Sequence, residues 1–210
     1  MKLQISYDFV DLEKALDIAE KTAQYADILE IGTPLLYAHG IAAIKAFKKA
    51  FPNKKIIVDA KLVDRIEDII PLFAQAGADY LSVLAGTSNS IIQKASSLIR
   101  SNGMKTILDV IDTQTPNQSA HDAKTLEVDM LIYHPAHDEK SQDITTLQAW
   151  EDIRGNTELP IFISGKINKE TIKDALALQP NGIIIGEAIT RAESPAKAAE
   201  YFSKIIKSHS

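Results

Sequence analysis

The run Asp59-Ala60-Lys61-Leu62-Val63-Asp64 follows directly on the apolar residues Ile56-Ile57-Val58. A β-branched run ending in Asp-x-Lys sets opposite charges where a buried strand surfaces. Strand alternation points Asp59 and Lys61 to the same side. Charge is costly there unless it is paired or used. The carboxyl ends of strands are also where parallel α/β enzymes hold their reactive groups. Comparable runs end in Asp8, in Glu30 followed by Gly32-Thr33-Pro34, in Asp109 with Asp112 just beyond, and in His134. Two more end in Ser164-Gly165 and Gly186. Carboxylates gathered around one lysine repel one another unless a cation sits among them. Glu30 and Asp59 offer hard oxygen ligands suited to Mg²⁺, with water or substrate filling the other positions. Zinc fits less well, because cysteine is absent and the histidines lack close ligand spacing.

The glycine ends suit a different task. Backbone N–H groups in the last two loops of a barrel can hold a phosphate, and glycine lets the chain approach it closely. Lys166 adds positive charge beside Gly165; Glu187, beside Gly186, opposes an anion unless it turns away or pairs with Lys166. Each residue also has a plainer reading. Asp8 can cap a helix or a turn, Asp109 can start a loop, His134 can be a satisfied core histidine, and the glycines can be ordinary turns. The joint pattern is harder to explain that way than any single member.

Eight strands must position these groups. Short apolar runs recur about every 25 residues: Leu3–Tyr7, Asp27–Ile31, Lys55–Asp59, Asp79–Leu84, Lys105–Val110, Asp129–Tyr133, Pro160–Ser164 and Gly182–Gly186. Between them, apolar residues fall at helical spacing, as in Leu12, Ala15, Leu16 and Ala19, or Ile41, Ile44, Phe47 and Ala50. Ile91, Ile92, Ala95 and Leu98 make a third stripe. Ser88 and Asn168 are expected N-caps, Gly77 and Gly103 helix-ending glycines, and Pro52-Asn53 a stop. Eight strand–helix units leave a closed barrel or an open doubly wound sheet. Their regularity favours an α/β fold of the (β/α)8 TIM-barrel type, a single domain over residues 1–210.

Composition narrows the partners. The net charge is −5 with no dense basic run, and aromatic residues are 6% of the chain, so no nucleic-acid surface is expected. No apolar stretch approaches the roughly 20 residues of a membrane span. The first residues enter a strand pattern without signal-peptide features, so a cytoplasmic location is expected. Disulfides are excluded by the lack of cysteine. Asn117-Gln118-Ser119 fits a glycosylation triplet but has no secretory context.

With these residues in place, the chain resembles the 3-hexulose-6-phosphate synthase and 3-keto-L-gulonate-6-phosphate decarboxylase family of the orotidine-5′-phosphate decarboxylase suprafamily. The resemblance rests on Asp8, Glu30-Ile31-Gly32-Thr33-Pro34, Asp59-x-Lys61-x-x-Asp64, Ala76-Gly77-Ala78-Asp79 and Asp109. It continues through Tyr133-His134, Gly165 and Gly186-x-Ala188-Ile189-Thr190. It implies a ribulose-phosphate-binding barrel in which Glu30 and Asp59 hold Mg²⁺ against a 1,2-enediolate. Lys61 then adds positive charge beside the enediolate oxygen, Asp8 bonds a substrate hydroxyl, His134 moves a proton, and Asp109 orients substrate or shares that work. Gly165, Lys166, Gly186 and Glu187 fall at the sugar-phosphate end. Asp64 is implied to reach a neighbour's site, which makes the protein a homodimer with shared active sites.

Asp109, Gly32-Thr33-Pro34-Leu35 and Ala188-Ile189-Thr190 look like the synthase branch, which adds formaldehyde to ribulose 5-phosphate. The decarboxylase branch usually carries glutamate in place of Asp109 and an arginine where this chain has His137. The chain departs from the family at Gly165-Lys166 (usually Gly-Gly), at Glu187 (usually Gly or Arg), at His134-Pro135-Ala136-His137-Asp138, which lacks the loop glycine, and at Asp64-Arg65-Ile66. The leading expectation is a Mg²⁺-dependent aldehyde-lyase on a ketose phosphate. The alternatives are the decarboxylase and a non-catalytic barrel with an altered phosphate site. A Schiff-base aldolase through Lys61 is disfavoured, because flanking acids raise the pKa that such a lysine must lower.

Overall fold

The computed structural model describes residues 1–111, 113, 115–134 and 147–209. Its eight strands are β1 (Lys2–Tyr7), β2 (Ile28–Ile31), β3 (Lys55–Leu62), β4 (Tyr80–Leu84), β5 (Lys105–Asp109), β6 (Met130–Tyr133), β7 (Ile161–Ile163) and β8 (Gly182–Ile185). Each pairs in parallel with its sequence neighbours, and β8 closes on β1 through Lys2 opposite Gly182. The closed barrel is therefore realised and the open sheet is not. All eight expected runs are strands, with ends moved by a residue or two except at β3.

Those small shifts have a cause. Asp27, Asp79 and Asp129 stand just before β2, β4 and β6 instead of inside them, as Asn181 stands before β8. Each turns its side chain back to the preceding strand. Asp27 accepts from Leu3 N–H (2.9 Å), Asp79 from Ile56 N–H (3.0 Å), Asp129 from Thr106 N–H (2.8 Å) and Asn181 from Ile161 N–H (2.8 Å). The same four residues donate their own N–H to the carbonyls of Leu3, Ile56, Thr106 and Ile161. Every second strand is thus stapled to the next at the amino-terminal face, opposite the carboxyl ends where Asp8, Asp59 and Asp109 stand.

Among the described residues the helices are α1 (Leu12–Thr22), α2 (Thr33–His39), α3 (Ile41–Ala50), α4 (Ile66–Ala76), α5 (Asn89–Ser101), α6 (Pro116–Asp122), α7 (Leu147–Arg154), α8 (Ile172–Ala177), α9 (Glu187–Thr190) and α10 (Pro195–Lys207). Their apolar stripes face the sheet, as Ala15, Ala19, Ile44, Phe47, Ile92 and Ala95 show by full or nearly full burial. Ser88 caps α5 as expected, taking Ile91 N–H on its hydroxyl. Gly77 and Gly103 adopt positive φ (98° and 78°), and Ala78 and Met104 close six-residue loops back to Phe73 and Ile99. Asn168 is a correction: α8 begins only at Ile172, and Asn168 folds a turn ahead of it, accepting from the N–H groups of Glu170 and Thr171. The short α2 was not foreseen. No helix among the described residues is long and apolar enough to cross a membrane.

Inside the barrel, Ile28, Ile57, Ile107, Met130, Phe162 and Ile184 pack as a cluster separate from the larger sheet–helix core. Phe162 takes the space that a side chain at Gly182 would need; a Cβ there would meet its ring at 2.5 Å. Above this plug the lumen becomes polar toward β1–β5, with Gln4, Ser6, Glu30, Ser82 and Asp109 buried.

Candidate active site

A cavity of about 800 Å³ opens at the carboxyl ends of the strands. It brings together Asp8, Glu30, Asp59, Lys61, Asp109 and His134 on the β1–β6 side. Gly165, Lys166, Gly186 and Glu187 line it across the β7–β8 loops. Asp64 is exposed and does not line the cavity of its own chain. Asp112 and residues 135–138, with His137, lie outside the described residues.

The Asp-x-Lys pair faces the cavity, but plain strand alternation does not place it there. Three residues of β3 lie between Val58 and Leu62, while only one of β4, Ser82, lies between their partners Leu81 and Val83. Lys61 sits at this bulge with φ 44°, a left-handed conformation that costs a lysine roughly 1 kcal/mol or more. Its backbone N–H donates to the Ser82 hydroxyl (2.8 Å), which donates to Asp59 Oδ1 (3.0 Å). Asp59 Oδ2 accepts from Lys61 Nζ (2.6 Å) and the Thr33 hydroxyl (2.7 Å).

From Lys61 the polar chain continues. Its Nζ lies 3.1 Å from Asp109 Oδ2, and Asp109, 1% exposed, takes the Ile111 N–H and faces His134 Nε2 at 3.2 Å. Burial works against the Lys61 charge, but Asp59 and Asp109 outweigh it and raise its pKa. Burial also works against the Asp109 carboxylate, and His134, Lys61 and the Ile111 N–H overcome it, holding its pKa below the ordinary value. His134 behaves likewise: burial lowers its pKa, while the bond and charge of Asp109 prevail and raise it.

Glu30 is in a different position. Burial first, then the charges of Asp59 and Asp8, push it up to about 8. Gln4 Nε2 donates to it, and the Ser6 hydroxyl lies 3.0 Å from Glu30 Oε1 and 2.8 Å from Asp8 Oδ2. One hydroxyl proton serves only one carboxylate at a time. Gln4 Oε1, buried nearby, has no hydrogen-bond partner among the described residues. The Asp8, Glu30 and Asp59 group therefore favours an added proton or cation among its oxygens.

Asp8 is held in a slot that two glycines leave open. A Cβ at Gly32 would lie 2.0 Å from Asp8 Oδ1, and one at Gly186 would lie 3.3 Å from Oδ2. Gly186 thus makes room for Asp8, a role not foreseen in the sequence. Gly165 (φ 107°) and Lys166 (φ 49°) are both left-handed, the conformation a glycine pair would hold with least strain. Glu187 pairs with Arg191 (3.1 Å), one helical turn further on.

Ser6, Ser82 and Arg191 are cavity or supporting residues that the sequence did not single out, whereas Thr33, noted there within Gly32-Thr33-Pro34, bonds Asp59. Strand spacing offered a signal for two of them: Ser6 lies two residues before Asp8, and Ser82 sits mid-strand in β4. Arg191 stands four residues after Glu187, a spacing that pairs charges on a helix.

Fold and site define a parallel (β/α)8 barrel with a carboxylate–lysine–histidine array at its mouth. The chain belongs to the Orotidine 5′-phosphate decarboxylase / HUMPS family, which it matches over residues 1–202. It is 28% identical over 207 residues to a 3-hexulose-6-phosphate synthase of Bacillus subtilis (strain 168), covering 98% of this chain and 99% of that one. The crystal structure of a 3-hexulose-6-phosphate synthase from Salmonella typhimurium superposes with a TM-score of 0.93 at 31% identity, covering all of both chains. KGPDC from Streptococcus mutans shares the fold (TM-score 0.90, 22% identity, 99% of this chain and 97% of that one).

Proposed function

We propose that this protein is a Mg²⁺-dependent aldehyde-lyase that acts on a ketose phosphate through a 1,2-enediolate, most simply a 3-hexulose-6-phosphate synthase. The observation that carries this reading is the continuous Asp59–Lys61–Asp109–His134 array beside a buried Glu30. Full-length similarity to proteins of that name supports it.

The donor set fits the metal. Glu30 and Asp59 are hard carboxylate donors facing one cavity, and burial with the charges of Asp59 and Asp8 pushes Glu30 up to about 8, a site that an added cation would relieve. Such donors suit Mg²⁺, which keeps water and substrate oxygens around it. Glu30 and Asp59 would hold it, and it would supply Lewis acidity toward the substrate's oxygens.

The chain's own residues do the rest. A proton leaves C1 of ribulose 5-phosphate, its electron pair forms the C1–C2 double bond, and charge moves to the C2 oxygen. Lys61, charged and anchored on two acids, stabilises that oxygen. C1 then attacks formaldehyde, the carbonyl re-forms, and the new alkoxide takes a proton. His134 carries the proton, with Asp109 fixing its ring. Asp8 bonds a substrate hydroxyl, and Gly165, Lys166, Gly186 and Glu187 lie at the phosphate end. The functional unit is a cytoplasmic homodimer in which Asp64 serves the neighbouring site; its exposure outside its own cavity supports that role.

The test is a paired assay with Mg²⁺ and with EDTA. One arm follows formaldehyde-dependent loss of ribulose 5-phosphate, the other CO₂ release from 3-keto-L-gulonate 6-phosphate. Metal-dependent turnover in the first arm supports the synthase. Turnover in the second alone replaces it with the decarboxylase, and silence in both points to another substrate or a non-catalytic barrel.

A further inference from the structure

The cavity is divided by charge. Four carboxylates (Asp8, Glu30, Asp59 and Asp109) occupy its β1–β5 side, and the cation among them, Lys61, is engaged by two of the four. A phosphate is repelled there. Of the two glycines at the other end, Gly186 already has a steric reason to be glycine, because Asp8 fills the space beside it. Positive charge at this end comes from side chains instead: Lys166 after β7 and Arg191 after α9, both lining the cavity.

We propose that Arg191 is a phosphate ligand and specificity-determining residue of this site, with Glu187 as the positioning residue that aims its guanidinium. This rests on the sugar-phosphate reading above. A guanidinium carries five N–H donors, and Glu187 Oε1 engages Nη1 at 3.1 Å. The remaining donors keep the fork geometry that matches two phosphate oxygens. Arg191 is 62% and Glu187 53% exposed, so the pair forms a polar rim that an incoming phosphate reaches without displacing buried groups. Lys166, Glu187 and Arg191 together carry one net positive charge, so the acid next to Gly186 does not close the site to anions. Recognition by side-chain charge thereby takes over part of a task that backbone N–H groups perform in glycine-rich loops.

Two competing roles for Glu187 give opposite results. If it only repels phosphate, E187Q tightens anion binding whatever stands at position 191. If it aims Arg191, E187Q weakens binding in the native chain and has no such effect, or tightens binding, once Arg191 is gone. The experiment measures affinity for inorganic phosphate and for ribulose 5-phosphate by calorimetry, with unphosphorylated ribulose as control. It compares the native protein with R191Q, R191K, E187Q and the R191Q/E187Q double variant, each checked for an unchanged Tm. R191Q is expected to weaken both phosphate ligands by about 10- to 100-fold, with KM rising by the same factor and kcat nearly kept, and with partial rescue by R191K. Native-like affinity in R191Q, failure of the native protein to bind either phosphate ligand, or equal tightening by E187Q in both backgrounds overturns the proposal. Phosphate binding that depends on Arg191 in a protein silent in both turnover assays would instead leave this inference standing and remove the aldehyde-lyase reading.

Discussion

Lys61 bears the heaviest demand of any residue in the site. It holds a left-handed backbone, ties two acids together, and keeps a raised pKa against its own burial. A lysine held charged in this way can stabilise an oxyanion and cannot serve as the neutral amine of a Schiff base, so borohydride is expected to trap no adduct. Lys61→Ala should lower kcat by about 10²- to 10³-fold, the scale for losing one electrostatic stabiliser; unchanged turnover would contradict its role. The His134–Asp109 pair predicts a pH dependence. Below its pKa His134 is protonated and cannot accept a proton, so kcat/KM should fall on the acid side with a midpoint above 6.5, the ordinary histidine value. Asp109→Asn removes what raises that pKa, burial then dominates, and the midpoint should move down. A midpoint that stays in place would assign the limb to another group. These residue types and their gathering were legible in the sequence. The bulge that aims Lys61 was not, because no glycine or asparagine marks its positive φ.

At the scale of elements, the staples at the amino-terminal face explain why strand starts were read one residue early. Asp27, Asp79 and Asp129 follow the chain's alternation closely enough to pass for strand residues, yet they end it by bonding the strand before. Asp79 also pairs with Lys48 and Lys55, both at 2.8 Å. Burial works against its charge, but these two lysines and the Ile56 N–H hold its pKa down. The stability it adds is present above its unfolded pKa and is lost as pH falls through the lowered folded one. Asp79→Asn should cost about 1–2 kcal/mol at neutral pH, as partly screened charge-assisted bonds do, and less in acid. Denaturant unfolding at the two pH values checks this; an equal loss at both would leave the charge without a part. Helix α2 escaped sequence reading because its seven residues, beginning at Thr33-Pro34 behind Gly32, give too little periodicity, and α8 starts late because Asn168 uses its side chain on a turn.

On the proposed reading, the mouth of the barrel divides into a carboxylate half that would activate the substrate and a β7–β8 half that would anchor it. Mg²⁺ should raise the Tm of the native protein, and Glu30→Gln should lose most of that increase, since a neutral amide is a poor ligand for a hard cation; an equal rise in both would remove Glu30 from the metal site. The first three strand-end segments leave Val10 (72%), Tyr37 (80%) and Val63 exposed, with His39 Nε2 against the Val10 carbonyl at 2.9 Å. These exposed apolar groups, which follow β1, β2 and β3 at the same strand-end face as Asp64, support the proposed dimer. Sedimentation should give twice the chain mass of 23.0 kDa, and Tyr37→Glu should shift the protein toward monomer and lower kcat together. The barrel and the strand ends that gather the site's side chains could be read from eight evenly spaced runs. The pairing of Glu187 with Arg191 could not, since it depends on where one short helix sets its side chains.

If the carboxylate half makes a 1,2-enediolate, proton exchange at C1 of ribulose 5-phosphate reveals it without any second substrate. In D₂O with Mg²⁺, the protein should wash the C1 proton signal out of the NMR spectrum. EDTA should stop the exchange, and Lys61→Ala should slow it by about the 10²- to 10³-fold expected for turnover. Retention of the C1 protons by native protein that demonstrably binds the sugar phosphate would contradict enediolate formation at this site.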